Sequence, residues 1–354
     1  SIFYIDSNQY KKETAKALLA EAGTFVFLGV PQETQFGIDM KCWNTDEDFR
    51  GIKLIPPGLH YIHYSGVSKG TGDVSPRSGF MHYFKPKEFL VKMWDKETED
   101  MSREEVSDES IQRLKDNLLN LDRHLAPYPY EIWHKWKQLS SQITGMNKLI
   151  YLYGNKYTAV ILPMCYNETV IYNILLPHLP ILCLVGLMWI TGLQFDSGKL
   201  AKNQYISILK HYFLTSRPIY MIGELQFAYL CFLIGHSLEA FEHWKNLVIL
   251  LCSCDDAIRS QRLIFFHFIR TIEVQIEEMP EDFLADIVMN KNLVYKKLRE
   301  FFRTARVTKV DGRLMTMIER LKDNLTDTLQ WDFTGLDADE EDERPVVVEI
   351  DGAE

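Results

Sequence analysis

Apolar and polar positions change rhythm along the chain. From Thr24 to about residue 95 the apolar runs are short: TFVFLGV (24–30), IKLI (52–55), LHYIHYS (59–65), GFMHYF (79–84) and EFLVKMW (88–94). Pro31 stops the first, and Pro56-Pro57-Gly58 and Lys85-Pro86-Lys87 punctuate the rest. Runs of this length, rich in β-branched and aromatic residues and bounded by Pro and Gly, predict strands. Their hairpin-sized spacing predicts a small antiparallel β module over 24–95. Ahead of it, NQYKKETAKALLAEA (8–22) has helical spacing, with Gly23 as its C-terminal cap.

Charge rises after Asp95, and the period lengthens. Ile111, Leu114, Leu118, Leu119 and Leu121 share one side of a helix predicted at about 107–124. Pro127-Tyr128-Pro129 breaks it, and Trp133, Trp136 and Leu139 mark another short helix. From Ile219 the pattern is strongly helical. IYMIGELQFAYLCFLIG (219–235) is apolar on nearly all faces, as an inner helix would be. Ser237 is placed to cap a following helix carrying Leu238, Phe241, Leu247, Val248 and Leu251, which makes an αα-hairpin. Asp255 or Asp256 caps the next, with Leu263, Phe266, Ile269, Ile272 and Ile276. Pro280 opens a short helix, and Leu293, Leu298 and Phe301 mark one more. Leu314, Ile318, Leu321, Leu325 and Leu329 form a stripe on the last. About five or six helices with short links predict a compact bundle or superhelix.

Two segments fit neither pattern. Between Thr169 and Gln194 there is no Asp, Glu, Lys or Arg, and ILLPHLPILCLVGLMWITGL (174–193) is long enough to span a bilayer. Pro177, His178 and Pro180 interrupt it, and basic anchors are weak, with Lys199 the nearest on one side. A membrane span, a buried core helix and translated non-coding sequence are the three readings of this stretch. The second segment is the C-terminus. LDADEEDER (336–344) reads as a solvated tether, and Pro345, Val346, Val347, Val348, Glu349 and Ile350 follow as a β-prone run.

Composition narrows the function classes. The chain has 354 residues, 46% apolar and 12% aromatic, which suits about two domains with a sizeable core and excludes general disorder. A net charge of −10 without a long basic run argues against a dedicated nucleic-acid binder. Six irregularly spaced Cys imply no disulfide framework and fit a reducing compartment. No secretory signal precedes the fold.

Candidate chemistry is sparse. His60-x-x-His63 invites a metal reading, but residues three apart on a strand point to opposite faces, so structural histidines are expected. An enzyme reading would use His60 or His63 as base inside a ligand-sized pocket. Gly66 to Gly72 lacks the ending of a phosphate-binding loop, and Cys252-Ser253-Cys254 lacks partners at ligand spacing. No nucleophile elbow and no zinc-protease motif is present. The expectation is a protein-binding factor with no catalytic residues, cofactor or metal.

The tail carries the clearest mechanism. A β-prone segment on an acidic tether suits strand addition to a partner's sheet edge, with Val346, Val348 and Ile350 on one face and Val347 and Glu349 on the other. The residues alone equally allow it to fold back on its own β module, or to fray.

Several longer runs resemble one family. They are GVPQETQFGIDMKCW (29–43), FRGIKLIPPGLHYIHYS (49–65), APYPYEIWHKW (126–136), GELQFAYLCFLIGHSLEAFEHWK (223–245), MPEDFLADIV (279–288), WDF (331–333) and PVVVEI (345–350). The chain looks like a member of the Aar-two splicing factor family over about 8–145 and 217–350. The resemblance implies an α+β fold, an antiparallel β-sandwich-like N-terminal domain followed by an all-helical VHS-like superhelical domain. It implies domains at 1–146 and 217–332 and a tail at 333–354; residues 147–216 show no resemblance to the family and stand apart as an anomalous apolar linker or insert. It also implies a monomeric assembly chaperone of the U-five small nuclear ribonucleoprotein, in nucleus and cytoplasm. Such a chaperone binds the scaffold protein Prp-eight through its RNase H-like and Jab/MPN-like domains and holds back the Brr-two helicase. Residues 345–350 would be the partner-binding strand. The remaining alternative is a membrane-anchored adaptor using 174–193.

Overall fold

The computed structural model describes residues 20–67, 74–143, 219–253, 255–280, 283, 293–308 and 310–334. The apolar run 174–193, the segment 345–350 and most of the helix expected at 8–22 lie outside the described residues. Among the described residues no helix is long and apolar enough to cross a membrane. The chain divides into two compact units, Ser1–His243 and Trp244–Glu354.

The first unit is built on two sheets. Its strands are β1 (Gly23–Leu28), β2 (Gln35–Ile38), β3 (Lys41–Asn44), β4 (Gly51–Ile55), β5 (Gly58–Ser65), β6 (Ser78–Phe84), β7 (Phe89–Asp95), β8 (Asp100–Met101) and β9 (Leu125–Pro127). One sheet runs β8-β7-β1-β4-β9 and the other β3-β2-β5-β6. The second is antiparallel throughout. The first is mixed, which corrects the antiparallel expectation: β1 pairs parallel with β7, and β4 parallel with β9. The cause lies in the turns. Pro56-Pro57 and Lys85-Pro86-Lys87 do not close hairpins; β4 and β5, like β6 and β7, belong to different sheets. A chain that changes sheet is freed from the antiparallel return that a tight hairpin imposes.

Both faces of β1 are buried. Phe25 and Phe27 point into a core shared by the two sheets, with Ile52, Ile55 and Trp94 from the first and Phe36, Ile38, Ile62, Tyr64 and Phe84 from the second. Val26 faces the other way, onto Val91, Leu121 and Leu125. That explains why 24–28 reads as a continuous apolar run rather than an alternating one. The second face is covered by α1 (Asp108–Asp116) and α2 (Leu118–Asp122), with Ile111 and Leu114 packed against it. These replace the single helix expected at 107–124. The chain breaks at Asn117, whose N–H bonds back to Arg113 O at 3.1 Å. The break rotates the next turn, so Leu119 is 94% exposed while Leu121 is buried.

Helix α3 (Tyr130–Ser140) buries Trp136 and Leu139, and Trp136 Nε1 donates to Leu59 O at 2.6 Å. Helix α4 (Ile219–Leu233) packs beside it. Helix α5 (Leu238–Cys252) follows, with Ser237 Oγ accepting from Ala240 N at 3.2 Å as the cap expected there. In the second unit, α6 (Asp255–Ser260), α7 (Arg262–Glu277), α8 (Leu293–Val307) and α9 (Gly312–Leu329) are described, and α9 packs on both α7 and α8. The leucine stripe of α9 is buried along its full length. The helix expected to carry Leu263 and Phe266 is instead split at Gln261. The buried face of α7 is Ile264, Phe265, Phe268, Ile269, Ile272 and Ile276, which leaves Leu263 66% exposed.

Candidate partner-binding site

The strand-forming residues Pro345, Val346, Val347, Val348, Glu349 and Ile350 are outside the described residues, so the structure brings none of them to a site. What it does place is the base from which they are tethered. Helix α9 ends at Gln330, a left-handed C-cap with φ 56°. The next residues turn back into the core of the second unit. Trp331 and Phe333 are both buried. Tyr295 of α8 meets both rings, at 5.6 and 5.4 Å between centroids, and Phe302 meets Phe333 at 5.0 Å. The Tyr295 hydroxyl and Arg299 Nη1 both donate to Asp332 O, the latter at 3.2 Å. The Asp332 carboxylate accepts from Thr334 N at 2.8 Å and from Thr334 Oγ1 at 2.6 Å, which holds its pKa below the usual carboxylate range. The chain is therefore clamped as far as Thr334, and the acidic run starts directly after the clamp. In the sequence, WDF stands out only through a resemblance. Its physical signal is the pair of large apolar rings two residues apart, just past a helix end.

The histidine candidates resolve into core structure. Both are buried within the first unit. His60 Nε2 donates to Pro56 O at 2.8 Å, and Nδ1 is paired with Asp39 Oδ2 at 2.7 Å. Tyr128 OH donates to the same Asp39 Oδ2 at 2.7 Å, and Tyr61 N donates to Oδ1 at 2.9 Å. His63 Nε2 donates to Asp39 O at 3.2 Å. The two histidines thus reach one residue, Asp39, by its side chain and its main chain. Neither lines the clefts at the helical surface. Both nitrogens of His60 are thus held by buried protein partners, as those of a structural histidine are. Among the described residues no group of three or more His, Cys, Asp or Glu could hold a metal ion. Burial pushes the Cys231 thiol up to about 12, which makes it a poor nucleophile. Cys254 lies outside the described residues.

His63 gives the first unit a pH dependence. Burial, then the neighbouring Arg77 guanidinium, pushes its pKa down to about 3 from 6.5. The folded state therefore binds fewer protons than the unfolded chain between about pH 6.5 and 3. Stability from this group is fully present above pH 6.5 and is lost as pH falls, with a limiting slope of about 1.4 kcal/mol per pH unit. Urea unfolding between pH 7 and 5 should show the midpoint falling with acid. His63→Gln, which keeps a donor for Asp39 O, should flatten that slope; an equal slope in the variant would remove His63 as its source.

The run GELQF has a structural reason at each polar position. A Cβ on Gly223 would stand 2.4 Å from Gln142 O, so α4 approaches the end of α3 as only glycine permits. Gln226 then ties the two together. Its Oε1 accepts from Gln142 N at 2.7 Å, and its Nε2 donates to Gln138 O at 3.0 Å and to Ser141 Oγ at 3.2 Å. These satisfy the end groups of α3 that no intrahelical partner reaches. Glu224 pairs with His243 Nε2 at 2.9 Å in a buried position. Arg77 Nη1 donates to Ile234 O at 2.8 Å and so caps the end of α4 from the β module.

Sequence comparison finds a set of relatives for this chain. A family model described as the AAR2 N-terminal domain matches residues 21–151, and one described as the AAR2 C-terminal repeat region matches 198–334. The chain is 32% identical to the Protein AAR2 homolog of Homo sapiens over an alignment 381 positions long, covering 97% of both chains. It is 32% identical to that of Mus musculus over 385 residues, covering 98% of both. With the Caenorhabditis elegans homolog it shares 31% identity over 344 residues, covering 88% of this chain and 95% of the relative.

Proposed function

The chain belongs to the AAR2 family, the Aar-two splicing factors, and on that premise we propose that it is a non-enzymatic assembly factor of the U-five small nuclear ribonucleoprotein. It binds the scaffold protein Prp-eight through the RNase H-like and Jab/MPN-like domains, and it holds back the Brr-two helicase until assembly is complete. It works as a monomer in nucleus and cytoplasm, with its helical part in the VHS-like superhelical arrangement of the family.

The observation that supports the tail's part in this is the clamp at Trp331 and Phe333. It gives the tether a fixed origin. The eleven residue-to-residue steps from Thr334 to Pro345 reach at most about 36 Å when extended. Pro345, Val346, Val347, Val348, Glu349 and Ile350 would pair with an edge strand of the partner. Main-chain bonds would supply affinity, and Val346, Val348 and Ile350 on one face the selectivity. The acidic tether would keep the segment solvated until it is used.

The test is calorimetric titration of the RNase H-like domain of Prp-eight with the full chain and with a chain ending at Arg344. Loss of the strand should weaken binding by about tenfold or more, since a few main-chain bonds at roughly 1 kcal/mol each disappear. Equal affinities would remove the tail from the mechanism and leave the folded units as the binding surface.

A further inference from the structure

The second unit carries a cleft at the end of α9 remote from the clamp. The connections α6–α7 and α8–α9 enclose a cleft of about 840 Å³, lined among others by Ile258, Arg259, Arg262, Leu263, Val307 and Leu314. Its rim holds two apolar side chains that nothing in the unit covers, Leu263 at 66% and Val307 at 71% exposed. Arg262 pairs with Asp311 at 2.9 Å, while Asp311 also caps α9 through Arg313 N and Leu314 N. Arg259 is exposed and has no ion pair among the described residues. Along α9 toward the clamp stand Arg313, over the ring of Phe266, and Arg320, whose side chain is 74% exposed and pairs with Glu273 at 3.6 Å. The surface is thus a cleft of mixed polar and apolar lining, with Leu263 and Val307 exposed on its rim and guanidinium groups along α9 beside it.

We propose that the chain's own tail occupies this cleft, with the acidic run 337–343 lying along Arg320 and Arg313 and the segment 345–350 seated against Leu263 and Val307. Length permits it. Helix α9 has 18 residues, about 27 Å at 1.5 Å each. The eleven residue-to-residue steps from Thr334 to Pro345 span up to about 36 Å. Order permits it too. Asp337, Asp339, Glu340, Glu341, Asp342 and Glu343 come first, where the arginines stand; the valines come next, where the apolar rim stands. Because the tether is short, the segment is held at high effective concentration near the cleft, so weak contacts suffice. A tail docked here has its strand edges unavailable, and a partner must displace it. That regulatory consequence rests on the tail reading proposed above; the docking itself does not.

The experiment uses the full chain with a benzophenone amino acid in place of Val348. Irradiation should give intramolecular adducts within 258–263 and 307–314, at a yield independent of protein concentration. Leu263→Asp and Arg259→Glu, both at exposed positions, should leave the circular dichroism spectrum unchanged and cut those adducts by about fivefold or more, the scale of one lost apolar contact or ion pair. Adducts elsewhere, adducts only between molecules, or no adducts would overturn the proposal. Titration of the RNase H-like domain separates the two ideas. If Leu263→Asp tightens binding by about threefold, release of the tail is coupled to partner binding as the linked equilibrium requires. If the adducts form and affinity does not change, the docking stands and the tail is not the partner's strand.

Discussion

Gly51→Ala should destabilise the first unit by about 4 kcal/mol or more, enough to leave it largely unfolded at physiological temperature. Gly51 opens β4 with φ at +140°, a region that only glycine occupies without strain. It also sits against the centre of the mixed sheet. A Cβ there would stand 2.0 Å from the carbonyl oxygen of Phe25 and 2.9 Å from the Val26 Cα. Both are backbone atoms of β1, which is hydrogen-bonded on both sides, so neither can move without parting β1 from β4 or β7. Gly58 provides the control. Its φ is +136°, yet nothing lies within 4 Å of the position of its Cβ. Gly58→Ala should cost only the backbone strain, about 1–2 kcal/mol. Thermal and urea unfolding of the two variants would separate strain from collision. Similar losses for both would mean that β1 yields more easily than its position suggests.

Asp39→Ala is the second large effect, about 3–5 kcal/mol. Asp39 is fully buried and serves His60, Tyr128 and the Tyr61 amide at once. Removing the carboxylate leaves three buried polar groups without a partner, in a space too tight for relaxation between Phe84, Trp136 and Tyr128, whose rings all face His60. Asp39→Asn should cost much less, about 1 kcal/mol. Its φ of 54° is one that asparagine tolerates. Its carbonyl can accept from Tyr61 N, and its amide can donate to His60 Nδ1 while Nε2 keeps its bond to Pro56 O. A double-mutant cycle with Tyr128→Phe would measure how far the network exceeds its separate bonds. If Asn and Ala cost the same, the cluster's role is to carry a charge, not to satisfy polar groups.

Much of the helical part is legible in the order of its residues. Leu314, Ile318, Leu321, Leu325 and Leu329 repeat at helical spacing over about four turns, and no competing pattern disturbs them. Pattern and fold part company where one residue resets the phase. Asn117 and Gln261 each interrupt a helix, and the apolar residues just past them, Leu119 and Leu263, turn outward. Nothing local distinguishes these breaks from ordinary polar positions on a helix. The β module hides its topology for another reason. Pro and Gly clusters mark where a strand stops, but they do not say whether the chain returns beside it or passes to the other sheet. Strands β2 and β3 are hidden because Gly37 and Asp39 suit a loop. In the fold His63 rests where a Gly37 Cβ would be, 2.2 Å from its Cε1, and Asp39 takes the left-handed position in the turn. The clamp at Trp331 and Phe333 is not legible, because it depends on rings contributed by α8.

The Gln226 tie has a consequence for how the chain is made. Gln226 completes the end of α3 from 84 residues further along, and Arg77 closes α4 from a separation of 157. A ribosome adding about 5–20 residues per second needs roughly 4–17 s to pass from Gln142 to Gln226. During that interval the β module has emerged, while the end groups of α3 that Gln226 satisfies still face solvent. The first unit is therefore finished late, after the apolar stretch between its two parts has itself left the ribosome. For a nascent chain with this order of parts, the interval before α4 arrives is the period of greatest need for a chaperone.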